Sequence, residues 1–146
     1  TGPCIHAIFQ VKNALINRIT LHPAHVFSCS IQGAELQEDI LAWMEAYLHG
    51  KQGKLPSLDF SQITTPFTRA GIKAICSIPF GEVATYAEVA KIAGNPHATR
   101  AIGNVCSRNP YPLVIPCHRV VASDGSLGGF AYSLEIKQSL LKHETT

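Results

Sequence analysis

Leu113-Val114-Ile115-Pro116-Cys117-His118-Arg119-Val120 is the stretch on which the reading of this 146-residue chain turns. An apolar, strand-like run (Leu113 to Ile115) ends at a proline, and a cysteine follows, flanked by an imidazole and a guanidinium. A free thiol with a pKa of about 8.5 is only a few per cent thiolate at neutral pH. A neighbouring base or cation raises that fraction, and the thiolate is the nucleophile. Pro116 fixes the backbone angle before the sulfur and has no N–H to donate. Cys117 is therefore read as a held, activated nucleophile. A buried structural cysteine beside a surface His-Arg pair would give the same run, since free cysteine is among the most buried residue types. Only the rest of the chain separates the two.

Upstream, the second half of the chain is mostly helical. Pro66 opens a helix through Ile72 and Ile75 to about Ser77. After Pro79-Phe80-Gly81, Thr85-Tyr86-Ala87-Glu88 reads as a capping box that starts a short helix carrying Val89, Ile92 and Ala93. Gly94-Asn95-Pro96 breaks it. A second helix places Ala98, Ala101, Ile102 and Val105 at i, i+3, i+4 and i+7, and the pair makes a helix-turn-helix. Its other side carries small residues, Thr99, Gly103 and Cys106, beside Arg100 and Asn104. Such a face suits close approach to something grooved, or packing against another helix. Downstream, Ile136, Leu140 and Leu141 form an apolar stripe on which Glu144 also falls. A carboxylate there is costly unless paired, and a histidine is its natural partner; a helix-end glutamate that reaches solvent is the alternative.

The first thirty residues read as strands, with period two over Cys4 to Val11, a turn at Lys12-Asn13, a second run from Ala14 to Leu21 and a third over His25 to Ser30. Leu36, Ile40, Leu41, Met44, Tyr47 and Leu48 recur at helical spacing, with Glu35, Glu38 and Asp39 in the first turn, where the helix dipole favours acids. Gly50 and Gly53 end that helix, and 51–66 is linker-like. The fold class expected is α/β in the α+β sense. A small N-terminal sheet with one helix (1–65) precedes a mostly helical, winged-helix-like C-terminal domain (66–146).

Composition excludes several classes. An apolar fraction of 46 % argues against disorder. No apolar run approaches the roughly 18 residues of a membrane span, and nothing at the start resembles a signal peptide. Five cysteines (Cys4, Cys29, Cys76, Cys106, Cys117), an odd count with no close pairs, fit a reduced intracellular protein better than a disulfide framework. His22-x-x-His25-x-x-x-Cys29 with Cys4 is the best metal-like grouping, but it matches no strong template, and scattered surface histidines are the simpler reading. The net charge of +2 is uneven, −1 over residues 1–66 and +3 over 67–146, which is compatible with a polyanionic partner.

Together these pieces resemble the 6-O-alkylguanine-DNA alkyltransferases. The carrying segments are Pro79-Phe80-Gly81-Glu82-Val83 with Thr85-Tyr86, Ala93-Gly94-Asn95-Pro96, Arg100-Ala101-Ile102-Gly103, Asn109-Pro110, Ile115 to Val121, Gly125-x-Leu127-Gly128-Gly129, Lys137 to Leu141 and His143-Glu144. They cover nearly all of 66–144; residues 1–65 match in layout alone.

The resemblance implies direct-reversal DNA repair, with single-turnover transfer of an alkyl group to Cys117 from the 6-oxygen of guanine, and also from the 4-oxygen of thymine. Cys117, His118, Glu144 and Tyr86 would be catalytic. His118, held by Glu144, would take the thiol proton through a water, and Tyr86 would donate to the departing guanine. Ala98, Thr99, Arg100, Gly103 and Asn104 would contact double-stranded DNA through the minor groove, Arg100 filling the gap left by the flipped base. Asn109 would be a hinge, the backbone near Val120 would read guanine, and Phe130, Ala131 and Tyr132 would line the substrate loop. No cofactor or metal is implied, and the protein would be an intracellular monomer, in cytoplasm or, in a eukaryote, nucleus. In the loop, Phe130-Ala131-Tyr132 stands where many members have tyrosine, a small residue and glycine, which puts a phenol at the pocket mouth and bears on alkyl size. The rival readings are a helix-turn-helix regulator, against which the Pro-Cys-His-Arg run speaks, and a cysteine hydrolase, for which no oxyanion hole is evident.

Overall fold

The computed structural model describes residues 2–128, 130 and 132–145. Strand β1 (Ile5–Lys12) buries Ile5, Ala7 and Phe9, the period-two set of the sequence. It pairs antiparallel with β2 (Leu15–Pro23). The turn between them runs through Asn13 and Ala14, both at positive φ (55° and 60°), whose twist suits a tight hairpin. Strand β3 (Ser28–Gln32) lies parallel to β1 on its other side, so the order is β2-β1-β3.

Helix α1 (Gln37–Leu48) starts after Leu36, which caps it at φ 64°. It buries Ile40, Trp43, Met44 and Tyr47. Leu41, expected on the apolar stripe, is exposed, because the i, i+3, i+4, i+7 row through Ile40 leaves it a quarter turn away. The expected linker is pinned rather than free. Ile16 N–H donates to the Ser57 carbonyl and Asp59 N–H to that of Ile16, while Pro56 and Ile63 are buried.

Helix α2 (Pro66–Cys76) has proline at its first position and the Thr65 side chain accepting from Thr68 N–H, so two of its orphan donors are accounted for. The short strand β4 (Ala84–Thr85) leads into α3 (Tyr86–Ile92), whose capping box forms in both directions. Val89 is buried as expected, whereas Ile92 proves exposed and Ala90 faces inward in its place. Helix α4 (Thr99–Ser107) completes the helix-turn-helix. The stretch Leu113 to Ile115 is not a strand. Bracketed by Pro112 and Pro116, it turns, with Leu113 at φ 76°, and the strand begins later as β5 (Val120–Val121), parallel to β4. Between them Cys117–Arg119 form one 3-10 turn. Helix α5 (Leu134–Thr145) closes the chain and buries Ile136, Lys137, Leu140 and Glu144. The sheet, α1 and the helical half share one apolar core. Among the described residues no helix is long and apolar enough to cross a membrane, all five cysteines are free, and Cys4, His22, His25 and Cys29 assemble no metal-holding group.

Candidate active site

The cysteine sits at the start of the 3-10 turn, 1 % exposed, with its N–H donating to the Ile115 carbonyl at 2.8 Å. Asn109, just past α4, organises this corner. Its amide donates to the Ile115 carbonyl (3.0 Å) and to Cys117 Sγ (3.2 Å), and its Oδ1 accepts from Tyr111 N–H (2.9 Å). Asn109 therefore joins α4 to the cysteine turn. Cys106, on the inner side of α4, shares a hydrogen bond with Cys117; that contact first, and burial next, push the Cys117 thiol well above its ordinary range, while Asn109 pulls it down. Cys106 and burial thus both oppose ionisation of the resting sulfur. This corrects the expectation that its neighbours raise the thiolate fraction: the Arg119 guanidinium and the His118 ring both turn to Glu144.

Glu144 is the hub. Its Oε2 accepts from His118 Nε2 at 2.6 Å and its Oε1 from Arg119 Nε at 2.7 Å, with Arg119 Nη2 3.2 Å from Oε2. Arg119 also donates to the Ile78 carbonyl (2.8 Å). Burial raises the Glu144 carboxyl, but the bonds and charges of His118 and Arg119 outweigh it and bring it down to about 2. Burial lowers His118, which Glu144 only partly offsets. A neutral imidazole that donates through Nε2 carries a lone pair on Nδ1, and that atom is buried with no hydrogen-bond partner among the described residues. The pair can therefore do one thing chemically, which is to receive a proton at Nδ1 and stabilise the imidazolium that results.

The remaining predicted residues fall into two groups. On α4, Thr99, Arg100 and Asn104 are exposed, and Ala98 caps the helix. A Cβ built at Gly103 meets nothing within 4 Å, so this face is open and not a packing surface. Cys106 does not belong to it, being buried beside Cys117. At the start of α3, Gly128 (φ 71°) presses on Tyr86 so closely that a Cβ would stand 2.8 Å from the ring, which requires glycine there. Val120 is fully buried and its carbonyl accepts from Lys137 Nζ at 2.7 Å; the same ammonium reaches the Leu127 carbonyl. Phe130 and Tyr132 pack ring to ring at 5.9 Å, and the Tyr132 hydroxyl donates to the Ile19 carbonyl of β2 at 3.2 Å. The phenol expected at the pocket mouth is instead tied to the sheet. Ala131 lies outside the described residues.

Four contributors take roles in the structure that the sequence reading does not give them. Cys106 was taken as part of a small-residue stripe, Tyr47 as one more apolar position of α1, and Arg119 as a charge near the sulfur. Lys137, fully buried, enters the sequence reading only as the start of a segment that carries the resemblance, with no role assigned. An ion on the inward row of a helix, as with Glu144, was the one available clue.

Comparison with known proteins matches residues 66–146 to the family model of the 6-O-methylguanine DNA methyltransferase, DNA binding domain. The chain is 48 % identical over 103 residues to the methylated-DNA–protein-cysteine methyltransferase of Methanosarcina barkeri, covering 69 % of this chain and 63 % of that one. It is 40 % identical over 120 residues to the human protein of the same name, covering 77 % of this chain and 57 % of the human one. Among solved structures it resembles Mycobacterium tuberculosis OGT in complex with DNA, with TM-score 0.73, 26 % identity, and 96 % and 92 % of the two chains covered. The cysteine turn, the helix-turn-helix and the terminal helix all lie inside the matched region. The chain belongs to the 6-O-methylguanine DNA methyltransferase family.

Proposed function

We propose that this protein repairs double-stranded DNA by moving an alkyl group from the 6-oxygen of guanine, or the 4-oxygen of thymine, to Cys117, once per molecule. The carrying observation is the buried Glu144–His118 pair beside the buried Cys117 in sequence, with His118 bonded at Nε2 and bare at Nδ1. A thiol shifted upward by the Cys106 contact and by burial does not ionise unaided, so a base must act as substrate arrives. His118 Nδ1 receives the Cys117 proton through a water, and Glu144 stabilises the imidazolium. The thiolate attacks the alkyl carbon in line, the S–C bond forms as the C–O bond breaks, and the electron pair leaves on the base oxygen. Tyr86, at the first position of α3, donates a hydrogen bond to that leaving group. No step calls on a cofactor.

Because Cys117 is 1 % exposed, the lesion reaches it only as a nucleotide turned out of the stack, at a cost of a few kcal/mol. The open, small-faced side of α4 supports minor-groove docking by Ala98, Thr99, Gly103 and Asn104, with Arg100 replacing the extruded base. The backbone near Val120 and the Phe130 ring would bound the base on the other side. A thioether has no leaving group that water displaces, so turnover stops at one. The protein would work as an intracellular monomer. The test uses a duplex labelled on the methyl group of one 6-O-methylguanine. Label moves to the wild-type protein, whereas Cys117→Ala binds the duplex and takes none; label retained on DNA by the wild type refutes the reading.

A further inference from the structure

Glu144 Oε2 accepts a third hydrogen bond, and its donor comes from the other half of the chain. The Tyr47 hydroxyl, on α1, lies 2.6 Å from that oxygen, the same distance as His118 Nε2. We propose that Tyr47 is a positioning residue of the alkyl-transfer site, its hydroxyl holding the Glu144 carboxylate in the orientation that keeps His118 neutral and ready to accept the Cys117 proton. The inference rests on the function proposed above and adds a residue to it.

The tyrosine is built to hold one pose. Its ring is 3 % exposed and is walled by Trp43 (5.4 Å, stacked at 13°), Phe80 (5.5 Å, edge-on), Phe27 (5.7 Å) and the His143 ring (5.3 Å). His143 Nε2 also donates to the Tyr47 carbonyl at 3.1 Å, fixing α1 against α5. Burial, then the Glu144 charge, raise the Tyr47 phenol well above its ordinary value, so it stays a donor throughout the working range. A carboxylate oxygen with several donors is stabilised as an anion and pulls less on any one proton. Remove the hydroxyl, and the density it drew off falls on His118, whose protonated form gains. The charged groups that face His118 are Glu144 and Lys137 from α5 and its chain neighbour Arg119; those near Tyr47 are Glu144, Arg119 and His143. Only Glu144 is anionic among them, so its hydrogen-bond count decides the balance. A base that is already protonated cannot take the thiol proton.

The test compares wild type, Tyr47→Phe and Phe27→Leu. Tyr47→Phe removes one oxygen and keeps the ring; Phe27→Leu loosens the same wall with the hydroxyl intact. Methyl transfer to Cys117 from a duplex is timed from about pH 5.5 to 9, alongside the titration of His118 by its ring nitrogens and the melting temperature. Tyr47→Phe should slow transfer about three-fold near pH 6.5 and more below it, recover most of the rate by pH 9, and raise the His118 pKa by about one unit. Phe27→Leu should melt earlier without moving the acid limb. A Tyr47→Phe profile that overlays wild type overturns the inference, and so does an equal slowing at every pH, which would mark a packing role alone. If the wild type itself transfers nothing, the proposed function fails, while an unshifted or shifted His118 titration still decides the part played by Tyr47.

Discussion

Asn109 places its amide nitrogen 3.2 Å from the sulfur of Cys117 and 3.0 Å from the carbonyl of Ile115, so a single side chain ties the end of α4 to that thiol. The helix that faces solvent with small residues and the turn that holds the thiol are thereby one mechanical piece. Oxygen Oδ1 completes the brace by accepting from Tyr111 N–H at 2.9 Å. An amide aimed at sulfur favours the thiolate over the thiol, the reverse of what burial does there.

Asn109→Ala should therefore both weaken the fold and slow the chemistry. Leaving the Ile115 carbonyl and Tyr111 N–H unpaired in a buried corner costs about 2 kcal/mol, read as a lower urea midpoint. Loss of the donor at sulfur should cut the transfer rate about ten-fold beyond any unfolded fraction. An unchanged rate per folded molecule would detach the amide from the reaction.

Acid sensitivity is the second expectation. The Glu144 carboxyl is depressed to about 2 in the folded protein, from an unfolded value near 4.3. A depressed acid contributes stability that is fully present above its unfolded value and is lost as pH falls through the folded one, here from about pH 4.5 down to 2. The shift corresponds to roughly 3 kcal/mol. Melting temperature against pH should fall steeply across that window in the wild type and less steeply in Glu144→Gln; parallel curves would place the acid sensitivity elsewhere.

His118 and Glu144 should behave as one unit in transfer. His118→Ala and Glu144→Ala each remove the proton acceptor or its support, so the double variant should transfer little more slowly than the worse single one. Rate losses that multiply would make Glu144 a structural bystander to His118.

Gly103→Leu should separate binding from stability. The added side chain meets nothing within 4 Å of its Cβ position in the free protein, and leucine is the better helix former by about 0.8 kcal/mol. The variant should melt no lower than wild type yet bind duplex at least about ten-fold more weakly, if α4 enters a narrow groove. Arg100→Ala, by contrast, should slow repair of duplexes far more than reaction with free alkylated base. Full duplex affinity in Gly103→Leu would remove α4 from the interface.

Much of this architecture was legible in the chain. The period-two run over Ile5 to Val11, the capping box at Thr85 and Glu88 and the breakers at Gly94 to Pro96 are local signals, and local signals survive folding. Glu144 could be read because an ion on an apolar row demands a partner. Tyr47 could not, since a tyrosine on a buried helical row looks like any aromatic, and only tertiary packing brings its hydroxyl to a residue 97 positions away. Leu113 to Ile115 misled because β-rich composition outvoted the two flanking prolines. Ile92 and Leu41 are read as part of apolar helical stripes, but both lie at the margin of the stripe and the actual helix phase turns them outward.

The central claim is tested most directly by intact mass. The protein is incubated with excess duplex bearing one 6-O-methylguanine, and the product is digested to locate any adduct. One methyl group should replace one hydrogen per molecule, on Cys117 alone, with an equal amount of DNA restored and no further change on longer incubation. An unmodified protein, an adduct on Cys76 or Cys106, or repair that continues past one equivalent would contradict it.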